Sequence, residues 1–240
     1  METQLDVIGH NPQFIRMGIM NLYRLGYDKI SIDYSSKAEQ AVIKSTLKEL
    51  LGFEAVQDIQ KSDKNTMVIE SISEPSLENY EAIVNRLFFI MQDLIEKTER
   101  NMVKFSEDCD EPVNEAYKYD HFCRRAISKK MVQQHRISLL WAFHTQFIHT
   151  IRDLHFLNQY LKKPKKKPGK DNMFLFNELK DMFFNLKDAY FKKEAKYLLK
   201  VYAKRDMLFR EGYNALLKDE PVIAHHLWDI ARNIYLTASP

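Results

Sequence analysis

The stretch RLGYDKISI at residues 24–32 leads a helical pattern into an alternating one through a single glycine. The stretch LLGFEAV at residues 50–56 does the same a second time. A glycine just after the last apolar-periodic position can adopt the left-handed backbone conformation that ends a helix. The alternation of apolar and polar residues after it is typical of a half-buried strand. Two such junctions close together predict a small α/β unit at the start of the chain.

The elements of this unit follow from capping residues and alternation. A first helix is expected over residues 12–25, because Asn11 can accept hydrogen bonds from the first helical turn. A second is expected over residues 36–51, because Ser36 and Glu39 have the spacing of a capping box. Such a unit buries little apolar surface by itself, so we expect it to pack on the rest of the chain. Its strands are predicted at residues 29–34, 53–59 and 66–72.

Beyond Leu77 the pattern changes, and apolar residues recur three and four positions apart, as in a helix of a bundle. Three long helices with short connections are expected up to residue 161, in an up-down-up bundle. Residues 162–170 read KKPKKKPGK, and like charges with prolines predict a flexible linker there. Three further helical stretches follow. We therefore predict a mainly α chain, in which a small α/β unit (1–73) precedes two tandem three-helix bundles (74–161 and 172–240) joined by a Lys/Pro linker (162–171).

The amino-acid composition limits the kinds of partner and of cellular compartment that we expect for this chain. The 36 basic residues nearly balance 33 acidic ones, so the charge does not predict nucleic-acid binding. Cys109 and Cys123 are the two cysteines and form no CxxC pair, which favours a reducing compartment, the cytoplasm. No apolar run approaches the ~18 residues that span a bilayer, so membrane contact is expected to be peripheral or through a partner.

The two junctions and the long helix after them resemble the archaeal-type phosphate-uptake regulators of the PhoU family. In that family a small α/β unit precedes two tandem three-helix bundles. The resemblance implies control of phosphate uptake by contact with a phosphate ABC transporter or with a sensor or regulator protein, commonly as a homodimer. A short AbrB-like DNA-binding domain often precedes this unit in archaeal-type relatives. Either the chain lacks this domain or the sequence was recorded without it, so the resemblance does not by itself imply direct transcriptional control.

The resemblance also suggests a metal site in the first bundle. PhoU bundles typically carry Glu-x-x-x-Asp motifs on their second and third helices, and these can hold metal ions. Glu115 and Asp120 stand where the first motif would fall, although five positions apart, and His149 and Asp153 stand where the second would fall. The family thus implies a divalent or iron ion held by these four residues. In the second repeat only Asp206 remains of the corresponding acids, so no metal cluster is expected there.

A simpler interpretation needs no metal. Asp120 lies seven residues from both Val113 and Ile127, so its carboxylate is expected to face the core, where an unpaired charge is costly. We expect Asp120 and Asp153 to pair with arginines or lysines of a neighbouring helix, and His149 to be an ordinary half-exposed residue.

Three functions remain open at this point. The sequence has no glycine-rich phosphate loop and no recognisable nucleophile–base arrangement, so we expect a regulator that binds and does not catalyse. The first alternative is a helical metalloenzyme or metal-binding protein that uses the four residues above together with His144. The second is a general helical scaffold. The aromatic residues at 88–89, 174–176, 183–184 and 190–191 are expected to fill the core of the bundles.

Overall fold

A computed structural model describes residues 1–60, 64–74, 76–132, 136–206, 208, 214 and 218–239. The strands of this part of the chain are β1 (Glu2–Asp6), β2 (Lys29–Tyr34), β3 (Phe53–Ile59) and β4 (Asn65–Ser71). Its helices are α1 (Pro12–Arg24), α2 (Lys37–Leu47), α3 (Leu77–Val103), α4 (Asp110–Ser128), α5 (Ile137–Leu161), α6 (Lys170–Lys192), α7 (Ala195–Ala203) and α8 (Pro221–Thr237). The prediction of a mainly α fold preceded by an α/β unit is therefore confirmed. None of the described helices is long and apolar enough to cross a membrane.

The chain divides into two compact units. Unit 1 comprises residues 1–84 and 118–137, and unit 2 comprises residues 85–117 and 138–240. Helices α3 and α4 each contribute to both units. The units interleave along the chain, whereas the sequence predicts consecutive domains with a linker at 162–171.

Unit 1 contains a four-stranded sheet in the order β1-β2-β4-β3. Strands β1 and β2 are parallel, and the other two pairs are antiparallel. Strand β1 is missing from the predicted strands, because it lies at a sheet edge and Leu5 is its one large apolar side chain. A Leu5–Val7 alternation ahead of Gly9 is the weak signal that the sequence does contain.

One face of the sheet forms the core of unit 1. Ile30, Ile32 and Tyr34 alternate along β2 and are buried with Met67 and Ile69 of β4. Helices α1 and α2 cover this face through a buried set that shares the same cluster, namely Ile15, Ile19, Tyr23 and Ile43. Residues two apart on a strand point to the same side, so the alternation of apolar residues dictates which face the helices cover.

Both predicted glycine junctions adopt a left-handed backbone, with φ of +91° at Gly26 and +76° at Gly52. The end of α2 was predicted wrongly, since the helix stops at Leu47 and not at residue 51. Tight turns follow it, in which the N–H of Glu49 donates to the carbonyl of Thr46 at 2.9 Å. These turns satisfy the last helical carbonyls before the chain enters β3.

Unit 2 is a helical bundle. Phe88 of α3 packs on Phe147 of α5, and the Asn158 amide of α5 donates to the Thr98 hydroxyl of α3 at 2.7 Å, so these two helices run parallel. Arg86 of α3 forms an ion pair with Glu115 near the start of α4.

The helices on both sides of residues 162–169 belong to this same bundle. Lys180 of α6 forms an ion pair with Glu99 of α3 at 2.6 Å, and Tyr160 of α5 donates to Glu220, just before α8, at 2.8 Å. Between α5 and α6 the chain has no helix or strand. At its end, a Cβ on Gly169 would lie 2.2 Å from the Asp219 carboxylate, which accepts from the Asn172 backbone N–H at 3.2 Å. Glycine there lets an acid from elsewhere cap α6.

Candidate functional site

Asp120 lies on the part of α4 that belongs to unit 1, and its side chain is buried as predicted, with 2% of the residue exposed. Its Oδ2 accepts a hydrogen bond from Nε of Arg124 at 2.8 Å. The partner was expected from a neighbouring helix, whereas it comes from the same helix one turn later. An Asp and an Arg four apart on a helix can pair, so the sequence did contain this signal.

Next to this pair lies a buried histidine that the sequence gave no reason to single out. His121 is 1% exposed, and its Nδ1 accepts from Nη2 and Nε of Arg24 at 2.9 and 3.2 Å. The ring hydrogen therefore lies on Nε2. Burial, with the positive charge of Arg24, lowers the pKa of His121 to about 3. The ring stays neutral at physiological pH and acts as an acceptor for the arginine.

The other three predicted metal ligands lie in unit 2. Glu115 forms an ion pair with Arg86 at 2.6 Å. Asp153 is buried on α5, where its Oδ2 accepts from the Asn233 amide of α8 at 2.7 Å and its Oδ1 lies 3.3 Å from Nε of Arg152. His149 is half-buried one turn before Asp153.

The three predicted acidic ligands, Glu115, Asp120 and Asp153, therefore all contact other side chains of the protein. Glu115 and Asp120 are five residues apart and point in directions that differ by about 140° around the helix axis. Among the described residues, no three His, Cys, Asp or Glu side chains converge as metal ligands would. A metal in unit 2 would have to displace Arg86 from Glu115 or Asn233 from Asp153.

A second arrangement of polar groups lies where the parallel strands β1 and β2 end. The Glu39 side chain accepts from the backbone N–H groups of Gly9, Ser35 and Ser36 at 2.7, 2.7 and 3.0 Å. Burial alone would raise the pKa of Glu39, but these N–H groups outweigh it and lower the pKa to about 2. N–H groups at strand ends and helix starts can bind phosphate. Here the chain's own carboxylate accepts those hydrogen bonds.

A concave groove lies in unit 2. This groove of about 560 Å³ is lined mainly by Phe88, Phe143, Leu186, Tyr190, Leu198 and Tyr202, with the end of α8 closing one side. We call it the aromatic groove. Phe88 and Tyr190 stack within it, with ring centroids 4.6 Å apart. A groove of this size, with mostly apolar walls, can bind a ligand by burying apolar surface.

The aromatic residues of this region follow the sequence prediction only in part. Phe88, Phe176 and Phe183 fill the core, as expected. By contrast, Phe89, Phe174 and Phe191 are 56%, 46% and 40% exposed. Adjacent aromatics on a helix point in directions about 100° apart, so one of each pair can face the core while its neighbour faces water.

Two lysines lie over aromatic rings in this region, and one of these rings, Tyr190, lines the aromatic groove. The Nζ of Lys193 lies 4.1 Å above the centroid of the Tyr190 ring, and the Nζ of Lys187 lies 4.3 Å above that of Phe89. Lys193 has a left-handed backbone, with φ of +56°, at the end of α6. That conformation is usually left to glycine, and costs another residue about 1–2 kcal/mol.

Comparison of the chain with models of known protein families, with curated proteins and with solved structures finds no match. The resemblance to the PhoU family therefore rests on the residues quoted above.

Proposed function

We propose that this chain is a non-enzymatic regulator of phosphate uptake or phosphate signalling. It acts by protein–protein contact with a phosphate ABC transporter or with a sensor or regulator protein. The junctions at Gly26 and Gly52, and the mainly α fold behind them, agree with what the resemblance implies. The protein works in the cytoplasm as a homodimer, and it meets the membrane only through its partner. The buried free thiols of Cys109 and Cys123 agree with a reducing compartment.

One observation carries the non-enzymatic part of this proposal. The acids best placed for metal chemistry bind side chains of the chain itself, as in the pairs Asp120–Arg124 and Glu115–Arg86. The backbone N–H groups after β1 and β2, which could otherwise bind a phosphate, likewise donate to Glu39. Charged groups that are paired within the chain have a structural role, which favours a function in binding at the surface of the bundle over a function in catalysis.

Affinity capture tests the proposal. The purified chain, immobilised through a terminal tag, is exposed to detergent extracts of its own cells grown in phosphate-rich and phosphate-poor medium. We expect it to retain a phosphate transporter subunit or a phosphate-signalling protein, with enrichment that differs between the two media. Retention of abundant proteins alone, equal in both media, would contradict the proposal and favour a general scaffold.

Metal analysis separates the proposal from the metal-binding alternative. We expect the purified chain to contain less than one metal ion per chain after dialysis, with the same content in the variant Asp153→Asn. Stoichiometric metal that is lost in Asp153→Asn and kept in a control variant, Asp188→Asn, would favour the metalloprotein instead. Asp188 is an exposed acid on α6 that pairs with Lys192, so its loss should leave the bundle core intact.

A further inference from the structure

The aromatic groove has the dimensions and lining of a small-ligand site. Its volume of about 560 Å³ falls within the range of about 300–1,000 Å³ that is usual for such sites. The hydroxyl of Tyr202 donates to the Ala238 carbonyl at 2.7 Å, so this polar group of the wall is already satisfied. The body of a matching ligand should therefore be apolar.

The segment beside the groove has an excess of basic residues. Residues 187–205 contain seven basic residues and two acidic ones. Both acids are paired, Asp188 with Lys192 and Glu194 with Lys196. Lys193 and Lys200 form no ion pair with any described residue, so their charges are available to a ligand.

Lys193 lies next to the aromatic lining. It ends α6 in the left-handed conformation that favours glycine, and this backbone places its ammonium over Tyr190. Backbone strain at a residue beside a cavity favours a role for that residue in binding. An ammonium next to a ring that lines an apolar groove would attract the anionic head of a ligand whose body enters the groove.

We propose that the aromatic groove binds a single-chain anionic amphiphile, a molecule with an unbranched apolar chain and one carboxylate head. The chain lies against Phe143, Tyr190 and Leu198, which are partly exposed in the groove, and the carboxylate accepts from the Lys193 ammonium. The concave, ligand-sized shape favours a free amphiphile over a flat bilayer surface. The inference goes beyond the proposed role in phosphate control and does not depend on it.

Isothermal titration with dodecanoate, kept below its micelle concentration, tests this site. We expect one-to-one binding, with an affinity about twofold to fivefold higher than for the uncharged dodecanol. The variant Lys193→Gly should reduce dodecanoate affinity to the level of dodecanol and leave dodecanol binding unchanged. Its melting temperature should not fall, because glycine relieves the left-handed strain. The control Lys196→Gln removes a neighbouring charge that is paired with Glu194, and should change the affinity less than twofold.

A second variant tests the apolar part. Leu198→Trp adds bulk to the groove wall and should weaken dodecanoate and dodecanol equally, which a loss of charge would not do. Failure of dodecanoate to bind, as when the chain's own residues or a partner protein occupy the groove, would overturn the proposal. So would equal affinity for dodecanoate and dodecanol, or binding to anionic phospholipid vesicles without binding to free dodecanoate.

Discussion

Replacing Glu39 by glutamine tests how the start of the α/β unit is held. The carboxylate Oε1 accepts from Gly9 at 2.7 Å, and Oε2 accepts from Ser35 and Ser36. Glutamine keeps one acceptor oxygen and puts a donating NH₂ group in place of the other, so at least one backbone N–H loses its acceptor. A hydrogen bond to a charged group contributes about 1.5–3 kcal/mol, and we expect Glu39→Gln to lower the free energy of unfolding by about 2 kcal/mol.

The effect should depend on pH in a defined direction. The pKa of Glu39 falls from its ordinary value of 4.5 to about 2 on folding. A lowered pKa in the folded state means that the charged carboxylate stabilises the fold at pH values above the ordinary pKa. This contribution is lost as the pH falls from 4.5 toward about 2. The difference in the free energy of unfolding between the wild type and Glu39→Gln should therefore decrease as the pH falls over that range.

Urea unfolding, followed by circular dichroism, gives the free energies of unfolding of the wild type and of Glu39→Gln at about pH 7 and about pH 3. Glu49→Gln is the matched control, because Glu49 forms an exposed ion pair with Arg16, and its loss should cost about 0.5 kcal/mol or less. The reasoning is refuted if Glu39→Gln costs no more than Glu49→Gln, or if its cost is the same at both pH values.

Three other perturbations have defined outcomes. Arg125 is 1% exposed and donates to the carbonyls of Tyr23 and Tyr27 and to Asp28. In urea titrations, Arg125→Met should therefore lower the free energy of unfolding by about 3–5 kcal/mol. A loss of under about 1 kcal/mol would contradict this reasoning. Gly52→Ala should lower the melting temperature more than Gly9→Ala does. Both glycines have positive φ, but of the two only Gly52 would place a Cβ against backbone, 2.9 Å from the Ser73 carbonyl oxygen. Equal decreases in melting temperature would contradict this prediction. Mild trypsin should cut within residues 162–167, and the two pieces should co-elute on gel filtration because the helices on both sides belong to one unit. Separation of the pieces would favour the linear domains that the sequence predicts.

The sequence predicted most elements of the fold because local chemistry determines them. Gly26 follows the end of α1 with the left-handed backbone that its position indicates, and Ser36 with Glu39 does form a capping box. Strand β1 could not be predicted with the same rules, because its pairing with β2 is a contact between distant parts of the chain. The same holds for the division into units, which depends on which helices pack together.

The candidate site was predicted less well for the same reason. The burial of Asp120 follows from its spacing of seven residues from Val113 and Ile127. Its partner, Arg124, lies four residues later on the same helix, whereas a neighbouring helix was expected to supply it. The contact of Arg24 with His121 joins residues 97 positions apart, and no local pattern indicates it. The aromatic groove likewise draws on five helices, so only packing reveals that Tyr190 and Phe143 line one cavity.

Phosphate import in living cells is the most direct measure of the proposed regulation. Uptake of radiolabelled phosphate is followed in the wild type, in a deletion strain, and in the deletion strain supplied with either the wild-type chain or a His149→Ala, Asp153→Asn variant. We expect the deletion to leave import misregulated in phosphate-rich medium, and both chains to restore control, because regulation by docking needs no metal at these residues. Unchanged import in the deletion strain would contradict the account, and restoration by the wild type alone would favour the metal-dependent alternative.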